Sequence, residues 1–344
     1  MNRESPLITI GIPSHNRAAL LPQALESALH QQCEAPFEIL VVDDASNKET
    51  REVLTAIKDP KLRIIFSENA LGVAGTRNFI VDNMRGQYLI WLDDDDALLP
   101  EALSSHLRIL NTNAHAQISY GNLRICNHEL KPEGEWRYRQ IDEKFLLYTM
   151  LFYDPIPNGG TMVHRSVFER TGRYDQTFSL AEDYDFWARA AAKGCRFVHN
   201  DSFVYAYRKH PGSRGLSEDV THAFDANAKV VQKILENVPL EQIFTLYNWK
   251  QAPKPSAALA FATVALIFCK YRKFESALEA LQRSEAYGRT RESVAVRGLL
   301  HSARGDNQQA TELLTEALAL HNPHLQMIFE AAELLPKKHR KPGL

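Results

Sequence analysis

Apolar residues along the first hundred positions come in short runs, each closed by polar or acidic residues. Residues 7–12, 38–42, 62–66 and 88–92 read as strands, because short, nearly continuous apolar runs fit strands buried on both faces. Between them the apolar spacing lengthens to that of helices, at residues 21–31, 48–58 and 73–84. Pro22 is tolerated in the first turn of the first helix, and Val53, Leu54 and Ile57 share one face of the second. Strands alternating with helices of about ten residues predict an α/β fold, a parallel sheet with helices on both faces.

From residue 117 to 199 the pattern loosens into mixed strands and turns around one clear helix, 182–193, stopped by Gly194. The Gly- and Ser-containing stretch 205–213 reads as a mobile loop. After Ser217 only helical patterns remain: an amphipathic helix at 218–237, a Lys- and Pro-containing linker at 250–256, and a weak internal repeat across 257–335. Residues 272–278 correspond to 305–311, which sets Ala277 and Ala310 33 positions apart, against about 34 for tetratricopeptide helix pairs. Ala265 and Gly298 occupy matching small-residue positions, and Pro323 falls where a repeat ends. A plain helical bundle is the alternative. The expected organisation is an α/β domain over 1–215, a helical connector and linker over 216–255, and a tetratricopeptide-like helical domain over 256–340.

Composition narrows the class. With 44% hydrophobic and 24% charged residues and a net charge of −2, the chain lacks the basic footprint of a nucleic-acid binder. Cys33, Cys126, Cys195 and Cys269 stand far apart without CxxC spacing, which argues against a disulfide framework or thiolate zinc site and fits a reducing compartment. The first residues lack the apolar core of a signal peptide, and the apolar stretch 257–269 is too short to span a bilayer. A soluble, cytoplasmic protein is expected.

The candidate chemistry is acidic. Asp43 and Asp44 follow the second strand, and four consecutive aspartates, Asp93, Asp94, Asp95 and Asp96, follow the fourth. Ligands of such sheets bind outside the carboxyl ends of the strands, so both groups should converge on one crevice. Adjacent carboxylates repel unless a cation sits among them. Oxygen ligands with open positions suit a hard divalent ion that also holds substrate phosphates. The alternative is an acidic loop before the helix beginning near Pro100. A third group, Glu182, Asp183 and Asp185, opens the helix at 182–193. The macrodipole favours one acid there but does not call for three.

Five motifs then occur in order: Pro-Ser-His-Asn-Arg at 13–17, Val-Val-Asp-Asp-Ala-Ser at 41–46, Gly-Val-Ala-Gly-Thr-Arg-Asn at 72–78, Trp-Leu-Asp-Asp-Asp-Asp at 91–96 and Ala-Glu-Asp-Tyr-Asp-Phe-Trp-Ala-Arg at 181–189. Together they resemble the inverting family 2 glycosyltransferases over about residues 7–212. The resemblance implies the GT-A fold, a Rossmann-like mixed, mainly parallel sheet flanked by helices. It implies that Pro13 and His15 line a base pocket, that Asp44 accepts a uracil N3–H with Asp43 beside it, and that Arg77 reaches the nucleotide or its phosphates. Asp95 would ligate Mn²⁺ or Mg²⁺, with Asp93 and Asp94 on the ribose, the metal or the sugar. Asp183 would be the general base, preceded by Glu182. Arg208 would close over the diphosphate, and His210 would add a metal ligand. Such a transfer is a single displacement: a carboxylate takes the proton of the attacking hydroxyl, and a cation stabilises charge developing on the leaving diphosphate.

The donor so implied is a nucleotide sugar, most simply a uridine diphosphate sugar. Two acceptors fit: a glycan or lipid-linked glycan for a bacterial surface polysaccharide, or a protein such as a surface or flagellar subunit held by the helical repeats. In the first case residues 256–340 would serve a homo-oligomer or a protein partner. The basic tail at 337–341 allows at most peripheral contact with anionic lipid at the inner face of the membrane. An inactive transferase-like adaptor is the competing class; loss of the metal or base acids would favour it, and both sets are present. Gly72 to Gly75 lacks GxGxxG spacing, and Trp91 and Trp187 read as packing.

Overall fold

The computed structural model describes residues 5–210 and 220–320. They divide into two compact units: the chain up to Glu143 together with Asp154–Ala223, and Lys144–Tyr153 together with the chain from Phe224 onward.

In the first unit β1 (Ile8–Ser14), β2 (Phe37–Asp43), β3 (Leu62–Phe66) and β4 (Tyr88–Trp91) run parallel in the order β3-β2-β1-β4. The connecting helices are α1 (Leu21–Leu29), α2 (Lys48–Ala56) and α3 (Gly72–Asn83). All seven elements lie within two residues of the positions read from the apolar pattern. β2 is buried at every position, as a central strand covered on both faces must be. Gly11 of β1 sits where a Cβ would come 2.8 Å from Ile80 and 2.9 Å from Leu89, so its bareness lets α3 press on the sheet.

Beyond β4 the sheet becomes mixed. The chain continues through β5 (Ala97–Leu98), α4 (Ala102–Thr112), β6 (Ile118–Cys126), β7 (Pro132–Trp136), α5 (Glu143–Met150), β8 (Met162–His164), α6 (Arg165–Thr171), α7 (Glu182–Ala192) and β9 (Phe197–Arg208). β8 lies antiparallel between β4 and β6, β9 is parallel to β6 and antiparallel to β5, and β7 pairs with β6. This is the curled mixed sheet with flanking helices that the GT-A expectation describes. Tyr205 to Arg208, read from sequence as the start of a mobile loop, is instead the end of β9, in register with β5 and β6. The Gly and Ser that suggested a loop, Gly212 and Ser213, lie outside the described residues. His106 on α4 is wholly buried, with Nδ1 2.8 Å from Ser119 Oγ on β6.

The second unit is helical: most of α5, then α8 (Val220–Asn237) from Phe224 on, α9 (Leu240–Ile243), α10 (Pro253–Lys270), α11 (Phe274–Tyr287), α12 (Arg291–Ala303) and α13 (Asn307–Ala319). α10 begins at Pro253, inside the stretch read as a linker; a proline in the first turn lacks only an N–H that has no helical partner. α10 with α11 and α12 with α13 form successive packed helix pairs. A Cβ on Gly298 of α12 would lie 2.9 Å from Leu314 on α13, so the small residue brings that pair together. Leu146, Leu147 and Met150 of α5 are buried, Tyr148 meets the Phe244 ring at 5.6 Å, and Tyr271 Oη donates to Phe152 O at 3.0 Å. Pro323 and the basic tail at 337–341 lie outside the described residues. Among the described residues no helix is long and apolar enough to cross a membrane.

Candidate active site

The turns after β1 and β2 are stitched together. Asn16 N–H donates to Ser46 Oγ at 2.9 Å and Asn47 N–H to Asn16 Oδ1 at 2.7 Å. His15 Nδ1 lies 2.6 Å from Asp44 O, beside Pro13, which pairs with Val42 in the sheet. Asn16 and Ala45 both hold left-handed backbone, φ 55° and 52°, an arrangement that costs an L-residue about 1–2 kcal/mol and marks turns held by their surroundings. Asp43 is fully buried and accepts from Arg51 Nε at 3.0 Å and Ser46 N–H at 3.3 Å. Asp44 accepts the N–H groups of Leu71 at 2.5 Å and Gly72 at 3.0 Å, so its carboxylate fastens the start of α3. Each of its oxygens keeps a further lone pair.

Arg77 on α3 links two distant acids. Its Nη1 donates to Glu182 Oε1 at 2.6 Å and its Nη2 to Asp93 Oδ1 at 3.2 Å, while the guanidinium lies 5.7 Å from the Trp91 ring centre. Burial disfavours its charge, but Glu182, Asp93 and Asp183 outweigh that and hold its pKa above the ordinary arginine value. Burial raises the Asp93 pKa, and Arg77 opposes the rise.

The four aspartates after β4 go to different partners. Asp93 N–H donates to Tyr205 Oη at 3.1 Å. Asp94 Oδ2 accepts His15 N–H at 3.0 Å, and its Oδ1 is 3.6 Å from Arg17 Nε. Burial, then the charge of Asp95, pushes the Asp94 carboxyl up to about 7. Asp95 Oδ2 is 3.4 Å from Arg17 Nη2 and 3.0 Å from His210 Nε2. Asp96 accepts Arg208 N–H at 2.7 Å, and burial with its acidic neighbours raises its pKa well above the usual range. Arg208 is itself buried, and its guanidinium donates to the carbonyls of Asp95 and His128, each at 2.6 Å, bracing the acidic turn from behind.

Of the three residues expected at a cation, Asp95 and His210 come together, whereas Asp93 faces Arg77. Among the described residues no three His, Cys, Asp or Glu side chains are gathered as a ligand set. One carboxylate and one imidazole, with the other positions left to diphosphate oxygens and water, suit a divalent ion that arrives with its nucleotide. Asp95 and His210 are therefore of a chemistry that fits such an ion.

The acids of α7 also divide. Ala181, just before the helix, is left-handed at φ 63°. Glu182 is buried against Arg77, and Asp185 accepts from Arg189 Nε at 2.8 Å within the helix. Asp183 accepts its neighbour Tyr184 N–H at 2.9 Å and is the partly exposed one of the three. Arg77 thus bridges the acidic turn after β4 and the first turn of α7, where Asp183 is partly exposed. Two participants had no assigned role in the sequence: Arg17, which sits in the first motif, and Tyr205, which carries no sequence signal.

Residues 9–172 match the model of "Glycosyl transferase family 2". The succinoglycan biosynthesis protein ExoO of Rhizobium meliloti is 30% identical over 220 residues, covering 60% of this chain and 62% of that protein, so the chain spans under two thirds of that relative's length. The fold is similar to S. aureus TarS 1–349 solved with UDP-GlcNAc, with TM-score 0.55 and 16% identity over 89% of this chain and 90% of that one. It is also similar to the mannosyltransferase PcManGT from Pyrobaculum calidifontis solved with GDP-Man and Mn²⁺, with TM-score 0.52 and 17% identity over 96% and 85%. At these identities the two structures establish the fold. The match over residues 9–172 lies within the sheet and the ordered motifs, and over that segment the chain is similar to the family 2 glycosyltransferases.

Proposed function

We propose that this protein is a metal-dependent inverting glycosyltransferase that moves a sugar from a uridine diphosphate donor to a hydroxyl of a glycan or lipid-linked glycan. One observation carries the reading: Arg77 joins Asp93 of the acidic turn to Glu182 beside Asp183, so the diphosphate end and the proton-accepting end share one anchor. In this scheme Asp95 and His210 hold Mn²⁺ or Mg²⁺, which supplies positive charge to the leaving diphosphate. Pro13, His15, Asp43 and Asp44 form the base pocket, with the unused lone pairs of Asp44 meeting the uracil imide. Asp94 meets the ribose or sugar, and Arg208 holds the acidic turn in shape for the phosphates. Asp183 takes the acceptor proton. The UDP-GlcNAc complex of the TarS structure supports a uridine donor, the Mn²⁺ of the PcManGT structure supports the cation, and the succinoglycan relative supports a polysaccharide product.

The helix pairs α10–α13 support a tetratricopeptide-like second domain, for assembly or for a protein partner. The proposed location is cytoplasmic, at the inner face of the membrane where the acceptor is lipid-linked. A protein acceptor held by the helical domain is the second reading, favoured by that same pair-wise helical packing. The deciding assay is donor turnover with and without chelator, alongside a thermal-shift panel of uridine, guanosine and cytidine diphosphate sugars with Mn²⁺. Loss of turnover in chelator, a loss of about a hundredfold in Asp95→Ala and a uridine preference are expected. Full activity in chelator, or a guanosine preference, would overturn the metal or the Asp44 assignment respectively. Radiolabel from the donor appearing in protein rather than saccharide would favour the second reading.

A further inference from the structure

Among the described residues three arginines meet the four aspartates after β4, and they are held in different ways. Arg77 and Arg208 are buried and fastened by directed bonds, Arg77 to Glu182 and Arg208 to Asp95 O, each at 2.6 Å. The Arg17 side chain is 30% exposed, with Nε 3.6 Å from Asp94 Oδ1 and Nη2 3.4 Å from Asp95 Oδ2. A charge-assisted hydrogen bond measures about 2.7–2.9 Å, so attraction rather than directed bonding holds this guanidinium. Its root is fixed, because Arg17 O accepts the N–H groups of Leu20 at 3.1 Å and Leu21 at 2.9 Å where α1 begins. Beyond that anchored backbone the long stem keeps the rotamer freedom to turn.

Asp95 Oδ2 is also the oxygen that meets His210 Nε2, at 3.0 Å. Arg17 therefore sits on one of the two groups read above as holding the divalent ion. A dication on that oxygen, with the guanidinium still beside it, sets like charges against each other at close range. Departure of Arg17 strands neither acid. Asp94 Oδ2 keeps the His15 N–H at 3.0 Å, and Asp95 keeps His210 beside it.

We propose that Arg17 makes capture of the cation conditional on the nucleotide. Without nucleotide its guanidinium holds the Asp95 oxygen that the cation needs. When a nucleoside diphosphate arrives, Arg17 transfers to the phosphate oxygens and leaves Asp95 to the cation. The inference rests on the reading of Asp95 and His210 as cation ligands for a nucleotide-diphosphate donor. A guanidinium pairs with a phosphate through two parallel N–H···O bonds, a better partnership than the long contacts it leaves. The coupling is reciprocal: nucleotide raises affinity for the cation by the same factor as the cation raises affinity for nucleotide. A diphosphate attracts a dication by itself, so part of the coupling persists without Arg17. The arginine adds to it by weakening capture of the cation alone.

The test measures Mn²⁺ binding to the full chain by calorimetry and by the EPR signal of free Mn²⁺. Wild type, Arg17→Gln and Arg17→Lys are compared with and without saturating UDP, after subtracting the Mn²⁺–UDP complex formed in solution. In Arg17→Gln the Mn²⁺ affinity without UDP should rise about tenfold, and the factor by which UDP raises it should shrink about tenfold. Arg17→Lys keeps the charge and should bind Mn²⁺ alone as weakly as wild type. An unchanged or lower Mn²⁺ affinity in Arg17→Gln without UDP would overturn the inference, because Arg17 would then only hold the acids in place. An equal gain from UDP in wild type and Arg17→Gln would also overturn it, since Arg17 would then stay at Asp95 throughout. So would Arg17→Lys behaving as Arg17→Gln, since charge would not be the cause. If Arg17→Gln does not fold, the Arg17 Nε–H signal in nitrogen-edited NMR decides, assigned by its absence from Arg17→Lys. It should shift in wild type on adding UDP alone, and a fixed signal overturns the inference. A wild type that binds no Mn²⁺ even with UDP would sink the metal reading of the site and this inference with it, a failure seen before any variant is made.

Discussion

Acidification from about pH 7.5 to about pH 5 should lower the stability of this protein by about 2 kcal/mol through His106 alone. Its imidazole is wholly enclosed between α4 and β6. Burial is the main cause that lowers its pKa from 6.5 to about 3. The unfolded chain takes up a proton near pH 6.5, whereas the folded chain takes it up only near pH 3. The contribution is therefore fully present above the unfolded value and is lost as the pH falls from about 6.5 toward about 3. At pH 5 the unfolded state has gained about 1.5 pH units of protonation free energy at about 1.36 kcal/mol each, which gives the figure above. Urea unfolding of wild type and His106→Gln at both pH values isolates this from the titrating carboxylates, because only wild type carries the extra slope. The variant will start lower, with Ser119 Oγ deprived of its partner, but the comparison concerns slopes. Parallel losses in the two proteins, or an NMR titration of the folded His106 ring with a midpoint above about 5, would refute the reasoning.

Three further outcomes follow from the site and its packing. Asp183→Asn should keep calorimetric donor affinity and lower transfer by about a hundredfold or more, since the amide preserves shape and cannot take the proton; near-normal turnover would place the base elsewhere. Arg77→Ala should destabilise by about 3–5 kcal/mol in denaturant titration, because it strands the buried Glu182 carboxylate, and adding Glu182→Gln should recover part of the loss. Gly11→Ala should cost about 1–3 kcal/mol, read as a lower Tm with unchanged donor specificity, because the added methyl meets Ile80 and Leu89 below 3.0 Å.

The parallel half of the sheet was legible because its strands form short apolar runs, two of which, β2 and β4, lead straight into the acids of the candidate site. The second half was not. β8 is three residues long, β9 is interrupted by the polar run His199-Asn200-Asp201-Ser202, and both owe their place to pairing with strands far away in sequence. The same limit applies at the site. Asp93, Asp183 and Arg77 could be named from ordered motifs, but no local pattern shows that Arg77 bonds Glu182 across 105 positions. Arg208 could be named from its motif, while its burial behind the acidic turn follows from β9 being a strand rather than a loop.

The excursion of Lys144–Tyr153 into the second unit has a consequence for synthesis. The chain passes between the units three times, at 143–144, 153–154 and 223–224. When α5 leaves the ribosome, the helices that cover Leu146, Leu147 and Met150 have yet to be made. At about 5–20 residues per second, the 71 positions from Tyr153 to Phe224 keep that apolar face bare for about 4–14 s. During that interval the nascent chain presents a short, sticky helix to holding chaperones. A gene truncated after the sheet would present it permanently, so the first unit cannot be recovered as a clean fragment by cutting at one point.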